Sequence, residues 1–397
     1  MRRLKINLAL QGGGAHGAFT WGVLDRLLEE DEIEISGISG TSAGALNGAA
    51  LKAGFARGGR QAARENLDWF WGEIDRADDL NVGHWIASFW PDIMLRTMRA
   101  FTPYAALDGM SHMFSPYDYG PFYSDPLRKI AESLHFEHIC SPKGPALFVS
   151  ATNVRTGKIR VFSASAITID ALMASACLPN VFRTIEIMDP ATGKLEGYWD
   201  GGYSGNPALF PLYDKTLPDD IVIVNINPIV RETLPRSASE ILNRINEISF
   251  NSSLLSELRS INFVRRLIAD NKLPPGTMKE VKVHMISDDK LMNSLTAETK
   301  LMPTTGLLGE LKTAGRAAAS RFLHEHAHKI GNSNSIDLAG VYSAQGKHDE
   351  AAEQLLAILE KNLNWKEGAA KEQLLKIFEA AGPKAEVTKE GRRRLSA

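Results

Sequence analysis

Three short glycine-containing segments carry the residue types that acyl-transfer chemistry needs. Gly40-Thr41-Ser42-Ala43-Gly44 is a G-x-S-x-G pentapeptide between an apolar strand pattern and a small-residue helix pattern. A tight strand-to-helix turn of this kind requires small neighbours. It lifts the serine hydroxyl clear of the sheet, where the helix dipole favours developing negative charge. Gly12-Gly13-Gly14-Ala15-His16-Gly17 follows the first apolar segment. Glycines there permit positive φ and close approach to backbone N–H groups, and the helix N-terminus behind them makes an anion site. Asp200-Gly201-Gly202 follows Tyr198-Trp199, which places a carboxylate at a strand end.

Each segment has a plainer reading. The glycine loop also fits a bare G-x-G-x-x-G dinucleotide fingerprint, which normally has an Asp or Glu about 20 residues on, at the end of the second strand. Here that strand runs into Gly37-Ile38-Ser39-Gly40, and Glu34 comes too early in it. Asp-Gly is a common turn dipeptide. A triad of the ordinary type would need a histidine base, and none of the ten histidines has an evident partner pattern. His284 falls within a strand pattern. His324, His326 and His328 fall in a helical one, where their spacing scatters them, so no metal site is expected. What distinguishes the chain is the order: glycine loop after strand one, serine turn after strand two, then Asp-Gly-Gly.

These segments need strands and helices to position them. Leu4 to Leu10 alternates apolar and polar and predicts a strand. Ala18 to Glu30 has apolar residues at helical spacing, Ile33 to Ser39 predicts a second strand, and Ala43 to Lys52 a second helix. Strand, helix, strand, helix with short connections predicts a parallel α/β sheet. Further strands are predicted at Ala146 to Thr152, Ile159 to Phe162, Ile221 to Ile226 and Val281 to Ser287. Helices are predicted at Ser237 to Asn251, Leu254 to Asp270 and Gly315 to Lys329. Residues 69–123 interrupt the pattern with clustered aromatics and prolines. They read either as a packed peripheral insertion or as an apolar cap beside an acyl-chain site.

The ordered set of motifs resembles the patatin-like phospholipases over residues 4–330, with Gly12 to Gly17, Gly40 to Gly44 and Asp200 to Gly202 matching the family pattern. Ala174-Ser175-Ala176-Cys177-Leu178-Pro179 is similar to the family's Ala-Ser-x-x-x-Pro block beside the active site. The resemblance implies a three-layer α/β hydrolase fold and a Ser–Asp dyad, with Ser42 as nucleophile and Asp200 as proton acceptor. It places the oxyanion hole at Gly12, Gly13, Gly14 and Ala15, with His16, Gly17, Gly40, Gly44, Gly201 and Gly202 supporting the motifs. Many members have Arg or Lys where this chain has His16, so the resemblance implies a charge there that depends on pH. No metal or other cofactor is implied.

Composition bounds the rest. The chain has 397 residues, 45 Lys and Arg against 47 Asp and Glu, and 44% hydrophobic residues, which fits a globular protein of two or three units. A net charge of −2 gives no footprint for nucleic acid. Cys140 and Cys177 are too few for a disulfide framework, and no secretory signal or membrane span is evident, so a cytoplasmic bacterial location is expected, with peripheral contact to a lipid surface. Domain 1–330 is the expected catalytic unit and 335–397 an all-helical tail. In that tail Leu338, Ala339, Tyr342, Gly346, Ala351, Leu355 and Ile358 follow tetratricopeptide spacing. It resembles the C-terminal repeats of bacterial thioredoxin-like co-chaperones, and is expected to pack on the main domain or to serve a protein partner or self-association. The leading function is a serine esterase acting on lipid or other hydrophobic esters. The alternatives are an intracellular polyhydroxyalkanoate-type polyester depolymerase with the same dyad, a nucleotide-binding protein using the glycine loop, and a scaffold built around the tail.

Overall fold

The computed structural model describes residues 3–88, 115–118, 125–134, 136–179, 181–190, 192–274, 276–296, 299–300, 303–338, residue 341 and stretches of 352–396. Strands β1 (Leu4–Leu10) and β2 (Ile33–Thr41) pair in parallel, and β2 pairs in parallel with β3 (Ala146–Asn153). On its other side β1 pairs in parallel with β7 (Asp220–Val224), and β7 with β8 (Lys282–Ile286). This parallel centre agrees with the sequence pattern. Three antiparallel strands extend it: β4 (Ile159–Ser163), β5 (Ile185–Asp189) and β6 (Lys194–Asp200). The sequence pattern does not single out β5, which is short and half-polar.

The register around β3 decides where the candidate site lies. β4 covers residues 148–152 of β3, so β2 and β6, which both pair with β3, occupy its opposite edge. β2 runs along that edge as far as Thr41 opposite Ser150. β6 arrives from the other direction and stops with Asp200 opposite Ala151. Two strands therefore meet head to head on one edge, and the chain leaving each carries a candidate catalytic residue.

Helices cover both faces of the sheet. Leu8, Leu10, Val222 and Val224 face one core, shared with α1 (Gly17–Leu27), α2 (Ala43–Ser88) and α3 (Ile169–Ser175). Ala9, Ile221, Ile223 and Val283 face the other core, with Leu254, Leu255 and Leu258 of α4 (Ala238–Ala269). The two stretches read separately around residues 237–270 form this single helix, opened by a Ser237–Glu240 capping box. The helix expected from residue 315 begins earlier, as α5 (Thr305–His326), and its Leu311 and Phe322 join the first core. α1 and α5 cross in backbone contact, because a Cβ at Gly22 would strike the Lys312 carbonyl and one at Gly315 the Phe19 carbonyl.

α2 is two helices joined at a kink, because Gly58 and Gly59 (φ 75°) are non-helical, and the first of them runs past Lys52, where it was expected to end. Most of the aromatic stretch 69–123 lies outside the described residues. Its first members belong to the core rather than to a cap: Phe70 and Trp71 are buried, and Trp71 Nε1 donates to Asn47 Oδ1 (3.0 Å).

The tail divides. Ile336, Leu338 and Val341 pack into the second main core. Ala352, Leu356, Leu359, Ala370, Leu374, Ile377 and Phe378 form a cluster of their own with helices α6 (Ala369–Ala381) and α7 (Glu386–Ser396). The tail thus has a small core of its own, and its first residues belong to the main unit.

Candidate active site

The serine turn is as tight as its composition requires. Ser42 has φ 54°, a left-handed conformation costly for a residue with a side chain. Its N–H donates to Ser175 Oγ (2.9 Å), and its carbonyl accepts from Leu46 N–H (3.1 Å), which starts α2. Gly40 faces the Gly44 carbonyl at 2.6 Å from where a Cβ would stand, and a Cβ at Gly44 would strike the Leu10 carbonyl. Larger residues at either position would push β1, β2 and α2 apart. Ser42 is nearly buried, at 8% exposed.

Asp200 is buried. Its Oδ1 accepts from Gly202 N–H (2.7 Å), its N–H donates to the Cys177 carbonyl (2.8 Å), and its carbonyl accepts from Thr152 Oγ1 (2.8 Å). Oδ2 makes no hydrogen bond among the described residues. Burial pushes the Asp200 pKa up to about 7, against the opposing pull of the Gly202 N–H and the Ser42 hydroxyl. Gly201 is required here, since a Cβ would strike the Ser150 carbonyl where β6 ends. Tyr203 and Cys177 flank the carboxylate, and burial pushes each up to about 12, with the Asp200 charge adding to the shift.

The glycine loop lies directly over the serine, with 2.6 Å between Ser42 Cβ and where a Cβ on Gly12 would stand. Gly12 N–H donates to Asn206 Oδ1 (2.6 Å), so this amide is already engaged inside the protein. Gly14 has φ 59°, and His16 N–H is the first in the turn to bond back, to the Gly13 carbonyl (3.3 Å). The Gly13, Gly14 and Ala15 amides stand at the N-terminus of the helical turn, where backbone donors are left over. Of the four positions expected to hold an oxyanion, Gly12 thus differs from the other three.

His16 corrects another expectation. Its ring is buried, with Nε2 2.7 Å from Thr299 Oγ1. Burial lowers its pKa to about 3, the charge of Lys300 adding to the effect. At ordinary pH it is a neutral spacer, not a pH-dependent charge. The nearby cation is Lys300, whose Nζ donates to Asn227 Oδ1 (3.3 Å), Asn243 Oδ1 (3.3 Å) and Glu247 Oε1 (3.4 Å).

The sequence pattern missed the residues that brace the loop. Gln11 Oε1 accepts from the N–H groups of Ile226 (2.9 Å) and Asn227 (3.0 Å), while Gln11 Nε2 donates to Asn251 Oδ1 (3.2 Å). The available signal was Asn225-Ile226-Asn227 at the end of an apolar strand, where asparagine has no packing purpose.

A family model for patatin-like phospholipases matches residues 8–213, which contain the loop, the serine turn and Asp200. The chain belongs to the patatin-like phospholipase family. It is accordingly a hydrolase of lipid esters. The sheet of this patatin-like chain runs past the matched segment, since β7 and β8 complete it. A tetratricopeptide-repeat model matches residues 323–397. Among solved structures, VipD from Legionella pneumophila is 14% identical, with a TM-score of 0.38 and coverage of 99% of this chain and 86% of that one. The ExoU–SpcU heterodimer from the type III secretion system of Pseudomonas aeruginosa gives 13% identity, a TM-score of 0.27 and coverage of 100% and 90%. No curated protein matches the chain in sequence. Among the described residues no helix is long and apolar enough to cross a membrane.

Proposed function

We propose that the chain hydrolyses carboxylic esters of lipids through a Ser42–Asp200 dyad. The observation that carries this reading is the head-to-head meeting of β2 and β6, which brings a strained serine to a buried carboxylate whose Oδ2 makes no hydrogen bond among the described residues. Asp200 takes the proton as Ser42 Oγ attacks the ester carbonyl. The Gly13, Gly14 and Ala15 amides receive the oxyanion of the tetrahedral intermediate. One such donor is typically worth about 3–4 kcal/mol. The intermediate collapses to an acyl-serine, and the alcohol leaves with the proton held by Asp200. A water then gives its proton to the same carboxylate and attacks the acyl-serine; fatty acid departs and Ser42 regains its hydrogen. The raised Asp200 pKa suits a group that must both accept and release a proton near neutral pH.

The test is labelling by a fluorophosphonate together with a rate screen over phospholipids, acylglycerols, p-nitrophenyl esters and polyesters. Wild type is expected to be labelled at Ser42 and to turn over lipid esters, and Ser42→Ala to do neither. A Ser42→Ala protein that keeps most of its rate overturns the dyad. Preferential turnover of polyesters would move the substrate to the depolymerase class. We assign the tail to docking of a protein partner, in keeping with its tetratricopeptide match.

A further inference from the structure

The Gly12–Gly13 peptide group is gripped from one side. Its carbonyl accepts from Asn227 Nδ2 (2.7 Å) and from Asn206 Nδ2 (3.3 Å). A trans peptide sends its N–H in the direction opposite to its carbonyl. Holding the Gly12 oxygen therefore aims the Gly13 N–H away from the asparagines.

Asn227 is itself aimed. Its Nδ2 donates to the Gly12 carbonyl and to Gln11 Oε1 (3.2 Å), and its Oδ1 accepts from Lys300 Nζ. Lys300 is 16% exposed and is held by Glu247, whose carboxylate is wholly buried. Arg231 grips the same carboxylate through two hydrogen bonds (2.7 and 2.8 Å) and Arg244 adds a third (3.3 Å). Glu247 is driven down to about 2, the bond from Arg231 and the charges of Lys300 and Arg231 outweighing its burial. Burial draws the Lys300 pKa down, and the Glu247 charge opposes that.

Lys300 touches the loop in other ways too. Its carbonyl fills the space beside Gly14, where any Cβ would collide with it, and the neighbouring Thr299 hydroxyl meets the His16 ring. Asn227, Glu247 and Lys300 all lie beyond residues 8–213, outside the matched family segment.

We infer that Lys300 is a positioning residue for ester hydrolysis, acting through Asn227 to fix and polarise the Gly12–Gly13 peptide so that the Gly13 N–H becomes a strong oxyanion donor. The inference rests on the esterase reading above. Hydrogen bonds in a chain polarise one another, so a cation at the far end strengthens the last donor. Its effect falls on the transition state, where the oxygen carries negative charge, rather than on ground-state binding.

The experiment uses the full chain, p-nitrophenyl butyrate as substrate and a trifluoromethyl ketone as oxyanion-forming inhibitor. Lys300→Met is expected to lower kcat by about 10–100-fold with KM within about twofold, and to weaken the ketone by a similar factor. Lys300→Arg should keep kcat within about threefold of wild type, since it restores a cationic donor. Asn227→Ala should lower kcat similarly, and the double variant should be little worse than either single one, because both cut one relay. Full kcat in Lys300→Met, losses that multiply in the double variant, or an unchanged ketone affinity would each overturn the proposal. Should Lys300→Met not fold, Lys300→Gln, which keeps a donor at reduced length, is read by the same criteria. Activity that survives Ser42→Ala overturns the dyad and this inference together. A dead Ser42→Ala beside a fully active Lys300→Met overturns this inference alone.

Discussion

Ser42 and Asp200 are brought together by two adjacent residues of a third strand. Thr41, just before the serine, stands opposite Ser150, and Asp200 stands opposite Ala151. One residue of strand rise, about 3.3 Å, separates the two reference points. The spacing of the pair is thus fixed by backbone ladder bonds, not by a flexible loop.

Asp200 must be ionised to take the serine proton, and burial holds its pKa at about 7. kcat/KM on a soluble ester is expected to rise with pH and level off above about pH 7. A profile flat between pH 5 and 8 would contradict the assignment. The same burial has a stability signature. With the folded pKa above the unfolded one, the native state binds the extra proton, so stability falls as pH rises from about 4 through 7. Asp200→Asn is expected to abolish hydrolysis and to remove that fall, which thermal melts at pH 5 and pH 8 would reveal.

Gly14 has φ 59° and lies against the Lys300 carbonyl. Gly14→Ala meets both a conformational and a steric obstacle. The expected result is a destabilisation of about 1–3 kcal/mol with a disproportionate loss of kcat, because the loop shifts away from Ser42. Gly59→Ala, also at positive φ but with open space around it, is the control and should cost stability without specific loss of kcat.

Asp25 of α1 joins three helices. It accepts from Arg64 Nε of α2 (2.7 Å) and from Arg316 of α5, while Glu29 receives both arginines (2.9 and 2.8 Å). Burial alone would raise the Asp25 pKa, but the hydrogen bond from Arg64 and the charges of Arg316 and Arg64 bring it below the ordinary value. Its contribution is present above the unfolded pKa of about 3.9 and is lost as pH falls through the folded one. Asp25→Ala should cost about 2–4 kcal/mol at pH 7, measured by urea denaturation, and less at pH 3.

The boundary of the tail is testable by truncation. A chain ending at residue 334 loses Ile336, Leu338 and Val341 from the second main core, whereas one ending at 345 keeps them. The shorter chain is expected to melt several degrees lower, and the longer one to keep wild-type melting of the main unit and its esterase rate. Equal melting of the two would put the boundary at 334.

Much of this was legible in the residues. β1, β2, β3, β7 and β8 announce themselves through apolar runs, and the three glycine segments through composition and order. The bracing network did not, because Gln11, Asn206, Asn227 and Lys300 are scattered over nearly 300 positions and act through partners that only the fold supplies. His16 misled for the same reason: its type suggests titration, whereas burial beside Lys300 keeps it neutral. The first part of α2 runs past Lys52 until the non-helical Gly58 and Gly59 kink the chain, and a separate helix follows them. In residues 69–71, aromatic content fits either a packed insertion or an apolar cap, and only tertiary contact reveals that Phe70 and Trp71 face inward.

The placing of β1 has a consequence for how the protein is made. β1 is an inner strand, yet the partner on one of its sides, β7, begins at Asp220. Until the ribosome has delivered that segment, the apolar edge from Asn7 to Leu10 is open, and Gln11 lacks the Ile226 and Asn227 amides that hold it. The serine turn is translated early, but the glycine loop over it is braced only when the later segments dock. A nascent chain therefore carries its nucleophile for most of synthesis without a finished site, and during that time an exposed strand edge is a hazard that chaperones would have to cover.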